Sequence, residues 1–93
     1  MSKDTPLKQF FHIQRDIAKL WIRNIEKFAD VKEVALANRT AVKLMNAGIW
    51  TIDDCLQLND EQLMAIKKFD DRNKTMLFQL LRRIMDSPEM LKR

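Results

Sequence analysis

Gly48 is the only glycine in this 93-residue chain, and that scarcity limits the fold more than any other feature. With two prolines and no tyrosine beside it, few positions can supply the special φ values of tight hairpin turns, so a sheet with several reversals has little to turn on. Leu, Ile, Met, Lys and Ala are abundant while Val and Thr are scarce, which favours helix over strand. The expected fold is all-α: one domain over 1–93, a compact bundle of about five helices.

The densest start and stop signals surround that glycine. Asp30 can cap a short turn through VKEVAL, and a helix over 38–46 turns Ala41, Leu44 and Met45 inward before Gly48 closes it as a left-handed C-cap. Thr51 with Asp54 makes an approximate capping box for a helix over 52–57, and Asn59 with Gln62 repeats the device for 60–68. Asp70 or Asp71 then caps a last helix over 73–85, whose buried stripe is Leu77, Leu80, Leu81 and Ile84. Ser87 and Pro88 stop it, leaving 87–93 as a tail.

Ahead of this unit, Thr5 and Pro6 mark a helix start, and Leu7, Phe10, Phe11, Ile17, Ala18, Trp21, Ile25 and Phe28 keep a three-and-four spacing. The spacing predicts a long amphipathic helix over 5–29, joined near 29–33 to a compact unit over 30–86. Ile13, Leu20 and Ile22 widen the apolar arc beyond one stripe, so this helix is either clasped on two sides or presents surface to another chain.

Composition excludes more function than it assigns. Cys55 is alone and in an apolar register, so it reads as a small buried hydrophobe, and no internal disulfide can form. His12 is the only histidine and no glycine-rich nucleotide loop is present, so neither an enzyme nor a metal site is expected, and no cofactor or small-molecule substrate. No leader core or membrane-length apolar run occurs, which leads to the expectation of a cytoplasmic protein away from membranes. The net charge of +4 permits phosphate or acidic partners without requiring them.

Helix, glycine turn, helix is the outline of a helix-hairpin-helix, in which turn amides and helix N-termini can meet a phosphate. Over about 50 positions from Val34, Leu36, Arg39, Thr40, Leu44, Ala47, Gly48, Ile49, Thr51, Ile52, Asp54, Leu56, Leu63, Ile66, Lys74 and Thr75 stand in a recognisable order. That order resembles the C-terminal domain of the bacterial RNA polymerase α subunit. The resemblance implies a helix-hairpin-helix fold that reads the DNA minor groove, with Arg39, Lys74 and Thr75 as contacting residues. Val42 stands where that family has an asparagine, and Asp70 and Asp71 replace its glycine turn, where carboxylates repel phosphate.

Two functions remain in view. The first is a nucleic-acid-binding or transcription-associated module, with Arg39 at the minor groove and Lys43, Lys67, Lys68, Arg72 and Lys74 on phosphates. The competing account of these cations is a solvated helical face offsetting Asp60, Glu61, Asp70 and Asp71. The second is a protein-interaction adaptor for the transcription or replication machinery, or a homodimer, that uses Phe11, Ile22 and Trp50.

Overall fold

The computed structural model describes residues 4–87 and Glu89. Among these residues five α-helices form: α1 (Arg15–Ala18), α2 (Val34–Asn46), α3 (Ile52–Leu56), α4 (Asp60–Met64) and α5 (Asp71–Asp86). Three 3-10 segments accompany them at Leu7–Gln9, Ile22–Phe28 and Val31–Glu33, and no strand occurs among the described residues. No helix among those residues is long and apolar enough to cross a membrane. Of the tail over 87–93, only Ser87 and Glu89 fall within the described residues.

The capping signals act as their chemistry requires. Thr51 Oγ1 accepts from the Asp54 amide at 3.0 Å, Asn59 Oδ1 from the Gln62 amide at 2.8 Å, and Asp70 Oδ1 from the Asn73 amide at 3.0 Å. Each partner side chain reaches back to the cap residue's own amide, so two orphan donors are satisfied at each helix start. Gly48 adopts φ +86°, the left-handed turn that ends α2. Helix α4 stops at Met64, earlier than its apolar spacing suggests: the ladder tightens there, with the Ile66 amide donating to Leu63 O at 3.1 Å, and beyond it Lys68 takes φ +64° ahead of the buried Phe69.

The long N-terminal helix does not form. Gln14 and Trp21 take extended ψ values of 145° and 137°, which divide the stretch into a 3-10 turn, the short α1 and the 3-10 segment Ile22–Phe28. Its backbone bonds across the fold instead of along one axis. The Leu7 amide donates to Leu58 O and the Ile22 amide to Trp50 O, both at 2.8 Å, while Leu20 O accepts from the Ile52 amide at 3.1 Å. Trp21 and Thr51 meet in an isolated antiparallel bridge.

The wide apolar arc explains the break. A straight helix turns one stripe to a core, whereas two bends let Leu7, Phe11, Ile17, Ala18, Ile22, Ile25 and Phe28 all become buried. Phe11 and Ile22, read from the sequence as partner-binding, are therefore core residues with 7% and 0% exposure. The segment Ile22–Phe28 packs against α2 and α5, and those three form the centre of one buried cluster running from Leu7 to Ile84.

Candidate nucleic-acid interface

The corner built on Gly48 has no backbone donors to offer a phosphate. The amides of Ala47, Gly48 and Ile49 donate to Leu44 O, Met45 O and Leu44 O, each at 3.0 Å. Those of Trp50 and Thr51 donate to Asp54 Oδ2, both at 3.1 Å. A carboxylate of the chain itself thus occupies the place where an anion would meet the turn. The start of α5 is filled in the same way, since Asp70 accepts from the Asn73 amide and stands at the positive end of the helix. At these two corners a hold on phosphate has to come from side chains.

The cationic side chains sort into two groups. Lys43, near the end of α2, and Lys67 and Lys68, in the corner after α4, line one groove of about 350 Å³ together with Asn46, Ala47 and Ile66. No acidic residue lines it. Lys67 and Lys68 are exposed, and Lys43 is half-buried with its Nζ 3.0 Å from Asn73 Oδ1. Arg39 is exposed one turn before Lys43 on α2, its Nε 3.4 Å from Ala35 O.

Lys74 stands apart because it is paired. Its Nζ lies 2.9 Å from Asp60 Oδ1, tying α5 to α4. Arg72 and Thr75 are exposed on α5 and line a different hollow with Leu36, Asp71, Met76 and Gln79. The structure brings together Lys43, Lys67 and Lys68, and places Lys74, Arg72 and Thr75 outside their groove.

Three further features belong to this part of the fold; the first two gave no sign in the sequence, while the third includes Trp50, which the sequence offered as a partner-binding residue. Asn73 is 2% exposed and sits in a polar chain: its Nδ2 donates to Thr40 Oγ1 at 3.1 Å, and Thr40 Oγ1 donates to Leu36 O at 2.8 Å. Asn73 Oδ1 accepts from Lys43 Nζ and, at 3.1 Å, from the Asp70 amide. The cation of the groove is thereby fixed to a buried amide that joins α2 to α5. The second feature is a latch, in which Arg83 Nη1 donates to Glu33 Oε1 at 2.7 Å and to Phe28 O at 2.8 Å. The third is a pair of half-exposed tryptophans, Trp21 at 50% and Trp50 at 54%, on the two segments that meet in the Trp21–Thr51 bridge; the Arg23 guanidinium lies 5.5 Å from the Trp21 ring.

Two carboxyls are held below their ordinary range. The Arg83 hydrogen bond, followed by the Asp30 amide, lowers Glu33, and the Asn73 amide, with Lys43 and Arg72 nearby, lowers Asp70. Groups depressed by folding add stability that is complete above the unfolded carboxyl range and lost as pH falls through the folded values. The urea midpoint is expected to be level from neutral pH down to about pH 5 and to fall below about pH 4. Glu33→Gln should flatten that fall, and an unchanged acid limb in this variant would rule out the latch as a source. Burial pushes the Cys55 thiol up to about 12, which leaves it unreactive near neutral pH.

No protein-family model, curated protein or solved structure matches the chain.

Proposed function

We propose that the chain is a small nucleic-acid-binding module that grips the phosphate backbone through side chains, with Lys43, Lys67 and Lys68 as its centre and Arg39 beside them. The observation that carries this reading is the convergence of three lysines from two separate elements on one groove without an acidic lining residue. Because the turn amides are internally bonded, the attraction is electrostatic and insensitive to base sequence. The resemblance to the polymerase α-subunit domain supports the same ligand and suggests the helix-hairpin-helix arrangement, with Arg39 toward the minor groove.

Fluorescence anisotropy with labelled duplex DNA at several salt concentrations tests the reading. Dissociation constants of roughly 10⁻⁴ to 10⁻⁶ M are expected near physiological salt, weakening steeply as salt rises. Replacing Lys43, Lys67 and Lys68 together by alanine should reduce the log–log salt slope by about 2 to 3, since each lost phosphate contact removes about 0.9. Lys74→Ala should leave that slope unchanged because its ammonium already faces Asp60. A triple variant that binds like the parent chain defeats the proposal.

A second reading, a protein-interaction adaptor of the transcription or replication machinery, draws on the exposure of Trp50 and Trp21. It requires Trp50→Ala to abolish capture of a protein while leaving DNA binding intact.

A further inference from the structure

A cleft of about 660 Å³ opens between the broken N-terminal stretch and α3, and it shares no lining residue with the lysine groove. Its floor is apolar, made by Phe11, Ala18 and Leu56, which are buried, with Ile13 half-buried beside them. Its rim carries Lys8, Arg15 and Lys19, all exposed, with Asp53 the one acidic lining residue. Among the described residues the ion pairs are Arg23–Glu26, Lys74–Asp60 and Arg83–Glu33, so none engages the three rim cations. Gln14 and Gln57 supply neutral amides at the same rim, where Gln57 Nε2 donates to Asp53 Oδ1 at 3.4 Å and keeps its Oε1 as an acceptor.

The three parts point to one ligand chemistry. Sites for small organic molecules run to roughly 300–1,000 Å³, and this cleft lies in that range, with an apolar floor beneath a mostly polar rim that also includes His12. Three cations against one carboxylate exceed what a monocarboxylate would need, while a bare phosphate backbone would leave the apolar floor unused. An aromatic base over Phe11 and Ile13, hydrogen-bonded by the glutamine amides, with its phosphates toward Arg15, Lys19 and Lys8, uses all three. We infer that this cleft binds a nucleoside phosphate, at a site separate from the lysine groove.

Amide-resolved NMR titration of the full chain with ADP tests this, with adenosine, inorganic phosphate, decanoate and duplex DNA as parallel arms. ADP is expected to shift amides over residues 11–19 and 53–57, and adenosine or phosphate alone to bind about ten-fold more weakly or worse. Arg15→Ala combined with Lys19→Ala should weaken ADP by about ten-fold or more, and Asp53→Asn should strengthen it. These side chains are exposed, so the variants are expected to fold as the parent does. Absence of shifts in the cleft, decanoate or free phosphate binding as tightly as ADP, or an unaltered double variant would overturn the assignment. DNA shifts at Lys43, Lys67 and Lys68 report on the other surface, so either proposal can fail without the other.

Discussion

Ile22→Ala is expected to destabilise the fold by about 2–5 kcal/mol, the range for truncating a large aliphatic side chain in a closed core. Ile22 is fully buried, its amide is bonded to Trp50 O at 2.8 Å, and its segment packs on α2 and α5. Alanine would leave an apolar void that the surrounding elements, anchored from both sides, fill only in part. Domains of this size are stable by roughly 5–14 kcal/mol, so the variant should remain largely folded in water and unfold at a much lower urea concentration. Ile22→Val, which removes one methyl group, should cost about 0.5–1.5 kcal/mol, so the series stays readable even where alanine proves too severe. Trp50→Ala, at a half-exposed side chain, should cost far less than Ile22→Ala. A loss under about 1 kcal/mol for Ile22→Ala, with an unchanged urea slope, would put this side chain on the surface as a partner contact and refute the bent N-terminal stretch.

That residue also marks the line between what local signals reveal and what they conceal. Thr51 with Asp54, Asn59 with Gln62 and Asp70 with Asn73 lie three positions apart, so the chemistry of each helix start is contained in adjacent letters, as is the left-handed stop at Gly48. The N-terminal stretch has helical spacing too, yet its fate is decided by acceptors and donors at Trp50, Ile52 and Leu58. Periodicity records which residues are apolar, and the excess of apolar positions at Ile13, Leu20 and Ile22 was the only trace of a chain that changes direction. The early end of α4 has no glycine to announce it, and the left-handed residue of the corner beyond it is a lysine, Lys68. Among the cations, Lys74 differs from its neighbours by the Asp60 carboxylate beside it, and ion pairs between elements carry no sequence period. The cleft at α3 was hidden for the same reason as the bend, since a straight helix over 5–29 would not have made it.

The buried chain from Lys43 through Asn73 to Thr40 and Leu36 makes a quantitative claim about how α2 and α5 are joined. Asn73→Ala should cost about 2–3 kcal/mol, because it removes the bonds to Thr40 and the Asp70 amide and leaves a small void at a site 2% exposed. Thr40→Val keeps the shape of a fully buried side chain but strands the Asn73 Nδ2 donor without its acceptor, a loss of about 1–3 kcal/mol. The double variant should cost less than the sum by about 1 kcal/mol or more, since a donor already removed cannot be stranded a second time. Urea denaturation of the four proteins supplies the cycle. Additivity within about 0.5 kcal/mol would show that the two side chains act independently. Asn73 and Thr40 would then not join α2 to α5 as one unit. A strong coupling has the opposite consequence: the cation most central to the proposed phosphate grip is held by the same buried amide that joins α2 to α5, so Asn73→Ala should weaken DNA binding even at temperatures where the variant is fully folded.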